Sequence, residues 1–215
     1  GPTGLTRSNL PSNLYTYTVA DGQGCPLSGD INITEPAQAF SLSHVQTDVK
    51  CFGDATGSIT LTQSGGTTPY ATPQWLDLAV GITRNGLAAG TYIAIDSDAN
   101  GCLDSLHILI TQPNSAFAAA KASTNVLCNG GTSGTATLTL SGGTTPYGTV
   151  SWSDAGSGTS RTGLAAGQYG YTVSDANLCK DTGTIVITEP TKFVVQEDSV
   201  NVKCKGLPTG SITLT

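Results

Sequence analysis

Six cysteines, two histidines and one alternating Asp/Asn run are the residues that could support chemistry in this 215-residue chain. The cysteines are Cys25, Cys51, Cys102, Cys128, Cys179 and Cys204, with alternating steps of 26 and 51 until a last step of 25. A nucleophilic or metal-binding cysteine needs a particular setting beside a base, a cation or further ligands. Here every cysteine recurs with a period, which points to disulfide scaffolding in an oxidising compartment. Asp96-Ser-Asp98-Ala-Asn100-Gly101 sets oxygen donors at alternate positions before a glycine, like the first half of a calcium loop. The acidic residue that would close such a loop is replaced by His107, and Asp175-Ala-Asn177 keeps only part of the run. A hairpin turn in which Asp and Asn satisfy their own backbone is therefore preferred, and no cofactor is expected. If calcium does bind, Asp96, Asp98 and Asn100 are its ligands. His44 and His107 do not recur and have no nucleophile or acid at motif spacing, so no catalytic residue is assigned and no enzyme is expected.

These residues sit on a repeat. Ser-Gly-Gly-Thr-Thr-Pro-Tyr occurs at Ser64–Tyr70 and again at Ser141–Tyr147, 77 positions on, and Trp75 and Trp152 keep the same interval. Leu10, Leu87 and Leu164 each open a turn closed five residues later by Tyr15, Tyr92 and Tyr169. Pro36, Pro113 and Pro190 end Thr-Glu-Pro or Thr-Gln-Pro. The division expected is 1–36 as the end of one repeat, 37–113 and 114–190 as whole repeats, and 191–215 as the start of another. The opening Gly-Pro-Thr-Gly has no Met and no signal peptide, so the chain reads as an internal segment of a longer product.

Within each repeat the apolar residues alternate. Ile59 and Leu61 face one way and their Thr neighbours the other; Ala136, Leu138 and Leu140, then Ile212 and Leu214, repeat the pattern. About seven short strands separated by Gly, Pro and Asn turns predict an all-β chain of tandem immunoglobulin-like sandwiches forming an elongated rod, each Trp in its own core. Asn13 stands where the later repeats have Gly90 and Gly167, and a left-handed conformation is expected there. Charged residues are only 11% with a net charge of −6, which excludes a basic nucleic-acid surface. No apolar run approaches the ~18 residues of a membrane span.

A module this small gains from a covalent staple. The preferred pairing is within a repeat, Cys51–Cys102 and Cys128–Cys179. The alternative follows from standard sandwich topology, which puts the two cysteines of a repeat at opposite ends; Cys51 would then meet Cys179. Either way Cys25 and Cys204 find partners outside the segment or in neighbouring repeats.

The run Cys51-x-Gly53-x-x-x-Gly57-Ser-Ile-Thr-Leu-Thr62, followed by Ser-Gly-Gly-Thr-Thr-Pro-Tyr, Trp75, Gly86-Leu-Ala-Ala-Gly-x-Tyr92 and Asp98-Ala-Asn-Gly-Cys102, resembles the SprB repeat. The resemblance covers essentially the whole chain. It implies a large surface protein of gliding and related Bacteroidota, exported by type IX secretion and displayed as an extracellular filament or adhesin serving adhesion or gliding motility. The partners implied are neighbouring repeats, other copies in a filament, and surface polysaccharide or glycan. Asp104-Ser105-Leu106 and Asp198-Ser199-Val200 look like the O-glycosylation pattern of that phylum, making Ser105 and Ser199 candidate acceptors. The alternative function is an array of carbohydrate-binding or spacer modules attached to a secreted enzyme, which would need Trp75 and Trp152 on an exposed platform.

Overall fold

The structure is a computed structural model describing residues 6–215, and no helix occurs among them. It divides into two compact units. The first takes the described residues up to Asp48 together with Ala55–Thr111; the second takes Val49–Asp54 and Gln112–Thr215.

In the first unit a hairpin of β1 (Asn13–Ala20) and β2 (Pro26–Ile33) forms a two-stranded sheet. The sandwich follows. One of its sheets has the order β3 (Ser41–Thr47), β4 (Gly57–Ser64), β6 (Thr83–Leu87); the other runs β5 (Gln74–Trp75), β7 (Gly90–Ser97), β8 (Leu103–Ile110). Ile59, Leu61, Trp75, Leu87, Ala94, Ile108 and Ile110 are buried, as their alternation with exposed Thr and Ser requires. Asp104 closes the seam where β8 meets β3, accepting the Leu42 N–H at 2.7 Å.

The second unit repeats the arrangement with β9 (Ala118–Thr124), β10 (Gly134–Ser141) and β12 (Ser160–Leu164) in one sheet. The facing sheet is β11 (Ser151–Trp152), β13 (Gly167–Ser174) and β14 (Lys180–Ile187). Ala136, Leu138, Val150, Trp152, Leu164, Tyr171, Val173, Ile185 and Ile187 form its core. A hairpin of β15 (Glu197–Val200) and β16 (Ser211–Leu214) completes the unit, with Ile212 and Leu214 exposed rather than half-buried.

Each sandwich thus has six strands and not about seven. The missing strand survives as a single bridge, Gln74↔Val80 in the first sandwich and Ser151↔Ser157 in the second. The chain still reverses there, so the direction of every later strand is kept. The left-handed residue of the Leu turn is also displaced from its expected place. It is Asn9 (φ 56°), matched by Gly86 (φ 67°) and Gly163 (φ 71°), and Asn13 begins β1 instead.

Candidate functional site

At one end of each sandwich the Ser-Gly-Gly-Thr-Thr-Pro-Tyr loop meets the turn after the Tyr strand. Gly65 and Gly66 are left-handed (φ 68° and 56°). They also lie so close to other chain segments that a Cβ at Gly65 would come 2.0 Å from the Ala39 carbonyl oxygen, and one at Gly66 2.6 Å from the Asp98 carboxylate. Tyr70 folds back, donating its hydroxyl to the Gly65 carbonyl at 2.8 Å and stacking at a tilt on Phe40. The Thr-Pro bond within each loop, Thr68–Pro69 and Thr145–Pro146, is cis.

This loop delivers the Thr67 N–H to Asp98. The Asp98 carboxylate accepts that N–H at 2.9 Å, the Asn100 N–H at 3.0 Å and the Cys102 N–H at 2.8 Å. The Cys102 and Thr67 donors hold its carboxyl below the usual carboxylate range, and the same carboxylate pushes the Cys102 thiol up. Asp175 accepts from Thr144, Asn177 and Cys179 in the same way. Asp21 accepts from Gln23 and Cys25, with its carboxyl held low chiefly by the Cys25 N–H.

Those contacts place the three calcium candidates. Asp98 is spent on backbone donors, Asn100 gives its amide to the Thr67 hydroxyl at 3.0 Å, and Asp96 turns inward, where the Gln63 amide donates to its carboxylate. A cation there would have to displace donors already in place, which suits the hairpin-turn reading.

The cysteines differ from the preferred pairing. Cys51 is bonded to Cys179, with Cα atoms 5.7 Å apart, while Cys25, Cys102, Cys128 and Cys204 carry free, exposed thiols. The second unit shows why in-repeat pairing fails. Cys128 precedes the start of β10, whereas the Cys179 turn is tied through Asp175 to Thr144, beyond the end of β10. Eight extended residues separate those ends by roughly 24 Å, far beyond disulfide reach. Cys179 instead lies beside Val49–Asp54, where the Asn177 amide donates to the Lys50 carbonyl at 2.9 Å.

A second recurring group went unread in the sequence. Arg84 is paired with Asp77 (2.6 Å) and lies over the rings of Trp75 and Tyr92, 5.0 and 5.2 Å from their centroids. Arg161 does the same with Asp154, Trp152 and Tyr169, and Arg7 lies over Tyr15. Asp77 and Asp154 are held low by the Arg hydrogen bond each accepts, and Arg161 is pushed up by Asp154. The signal was an Asp and an Arg seven residues apart, present twice at the 77-residue interval. Each closing Tyr donates its hydroxyl four residues back: Tyr15 to Pro11, Tyr92 to Ala88, Tyr169 to Ala165.

Trp75 and Trp152 are 3% and 5% exposed, and each donates its indole N–H to a glycine carbonyl, Gly81 or Gly158. The exposed aromatic platform of the carbohydrate-binding alternative is therefore not built from them. His44 and His107 stand on exposed strand positions, as do Ser105 and Ser199.

The family model described as SprB repeat matches residues 43–78 and 120–157. Each of these two stretches is similar to the SprB repeat. The matched stretches run from the first strand of each sandwich through the Ser-Gly-Gly-Thr-Thr-Pro-Tyr loop and past the buried Trp, so the SprB motif covers the first half of each sandwich. No curated protein matches the sequence. Among solved structures the chain is similar to domains 1–6 of the surface layer protein SbsC, at 12% identity and a TM-score of 0.32, over 97% of this chain and 44% of that one. It is also similar to the S-layer protein structure spanning SbsC residues 31–844, at 12% identity and a TM-score of 0.34, with the same coverage. The chain therefore spans less than half the length of either.

Proposed function

We propose that the chain is a segment of the stalk of a cell-surface adhesin or filament, displayed outside the cell. Its repeats, with boundaries near Pro36, Pro113 and Pro190, act as structural spacers. The observation that carries this reading is that the two repeats share their turn-holding and strand-holding polar contacts, the buried Asp96–Gln63 pair of the first being the exception. Asp98 and Asp175 hold a turn, Trp75 and Trp152 bond a glycine carbonyl, and Asp104 and Asp181 hold the first strand. A chain selected for reach repeats its structural contacts, whereas one selected for chemistry at one place breaks the repeat there. Export by type IX secretion and service in adhesion or gliding belong to the same proposal and rest on the SprB match.

The test is small-angle scattering on chains of two, four and six repeats. Maximum dimension is expected to grow linearly with repeat number, by ~30–40 Å per repeat if strands of about eight residues run along the axis. Growth as the square root of repeat number would indicate flexibly joined beads and remove the stalk reading.

A further inference from the structure

The two sandwiches differ on one outer face, that of the β5-β7-β8 sheet and its counterpart β11-β13-β14. In the first, Leu76, Leu78 and Leu103 are 71%, 92% and 73% exposed, and Val80 and Ile95 are exposed beside them. Leu76, Leu78, Ile95 and Leu103 line one shallow hollow of about 370 Å³, so the residues form a continuous patch. At the same positions the second repeat has Ser153, Ala155, Ser157, Thr172 and Lys180, and its own hollow is lined by Ser, Thr and Gly around Trp152 and Tyr171. The second repeat proves that the fold does not need apolar side chains there.

Nothing in the core explains the first repeat's choice. Leu78 sits at a left-handed position (φ 67°) at the tip of its turn, where a large side chain gains no burial. The exposed side chains amount to on the order of 600 Å², at the top of what a monomer usually leaves bare and close to the ~800 Å² each partner gives to a standard interface. The patch also carries no charge in need of solvent: Asp77 is paired with Arg84, Asp96 is buried against Gln63, and Asp104 bonds the Leu42 N–H.

The geometry points to a second copy of this chain as the occupant, docked face to face through the β5-β7-β8 sheet of the first sandwich. Area and charge both favour this partner. An identical patch brings equal apolar area and no net charge, and a two-fold arrangement places each Leu76–Leu103 hollow against its equivalent. The polar face of the second sandwich takes no part. This association is a property of one repeat's surface and stands independently of the stalk reading.

The experiment is sedimentation equilibrium of the full chain between 1 and 200 μM, with the free thiols alkylated to prevent intermolecular disulfides. The expected result is a reversible monomer–dimer equilibrium. Giving the first sandwich the second repeat's residues (Leu76→Ser, Leu78→Ala, Ile95→Thr, Leu103→Lys) should weaken it at least tenfold. Leu78→Asp alone, at a solvent-facing tip, should weaken it by a smaller factor with an unchanged melting temperature, which keeps the test valid if the fourfold variant is poorly folded. A wild-type chain monomeric at 200 μM overturns the proposal. So does dimerisation that both variants leave intact, monomeric chain that floats with phosphatidylcholine vesicles, or a glycan on Ser105 covering the patch in secreted protein.

Discussion

The two sandwiches share a framework and differ in paired substitutions within it. In the first, Ala94 on β7 faces Leu106 on β8; in the second, Tyr171 faces Gly183 at the same register. A Cβ on Gly183 would come 2.8 Å from the Tyr171 hydroxyl, so the large residue of one strand demands the absence of a side chain on the other. Tyr17 faces Gly29 in the β1–β2 hairpin with the same conflict. The second exchange is of polarity. The Gln63 amide donates to buried Asp96 in the first sandwich, whereas Leu140 and Val173 hold those positions as an apolar pair in the second. Positions that satisfy backbone N–H groups keep an acceptor: Asp98 and Asp175 are the same residue, while Asp48 is matched by Asn125 and Gln112 by Glu189. Positions that only fill space trade volume or polarity, provided that the partner trades too.

The largest expected difference between the units concerns the turn that ends the Tyr strand. At Cys179 it is tied to Cys51, and at Cys102 it ends in a free thiol. Cys51→Ser or reduction releases a closure spanning 128 residues, and should cost the second unit up to about 4–5 kcal/mol on chain-entropy grounds. Hydrogen exchange measured by mass spectrometry should show protection falling around Asp175–Cys179 while Asp98–Cys102 is unchanged. Equal loss at both turns would mean that the disulfide does not distinguish them.

Next come the exchanged pairs. Gln63→Leu alone strips Asp96 of its side-chain donor in a buried site and should destabilise by about 3 kcal/mol. Adding Asp96→Val recreates the second repeat's pair and should recover most of the loss, a coupling of at least ~1.5 kcal/mol in a double-mutant cycle. Ala94→Tyr against an intact Leu106 should cost about 1–3 kcal/mol through overpacking, with Leu106→Gly as the rescuing partner. Additive effects in either cycle would show that the pairs are not compensations. Urea denaturation supplies all of these values.

Much of this framework was legible in the sequence because it is local or periodic. The 77-residue interval, the inward Trp75 and Trp152, the alternation around Ile59 and Leu138, and the Asp98 turn each follow from a short window or from the repeat. What was not legible depended on distant geometry. The partner of Cys51 was legible only as one of two alternatives: the Cys51–Cys179 pairing of standard sandwich topology is the one that forms, and the choice depends on the reversal at Val80, which is too short to read as a strand. Gln63 and Asp96 are 33 positions apart and lie on opposite sheets, so their pairing lies outside any short window. The Arg84 stack was hidden in the most variable part of the repeat. Its Asp and Arg recur, but between them only Gly81 and Gly158 correspond.

Acid gives a smaller and graded effect. The carboxyls of Asp48, Asp77, Asp98 and Asp154 are all held below the usual range, Asp48 chiefly by the Thr111 N–H and Asp98 by that of Cys102. A carboxylate with a depressed folded pKa contributes stability that is complete above its unfolded pKa and is lost as pH falls through the folded value. Melting temperature should therefore be level from pH 8 to about 5 and fall below about pH 4, in both units. Asp98→Asn should shift the onset in the first unit alone.

The smallest effect expected is a gain. Gly101 and Leu178 occupy the same place in their turns, both left-handed at φ 80° and 68°, and both donate the N–H to the Asp three residues back, at 3.0 and 3.1 Å. An L-residue with a Cβ costs roughly 1–2 kcal/mol in that conformation, while glycine there gives up about 0.5–1 kcal/mol of unfolded-chain entropy. Leu178 is exposed, so its side chain returns little packing to offset the strain. Leu178→Gly should thus stabilise the second unit by up to about 1 kcal/mol, and Gly101→Leu should destabilise the first by a similar amount. Opposite signs in urea midpoints, with unchanged slopes, would confirm that the turn geometry sets the preference at this position. A loss of stability in Leu178→Gly would instead mean that the leucine is held by a contact that outweighs its backbone strain.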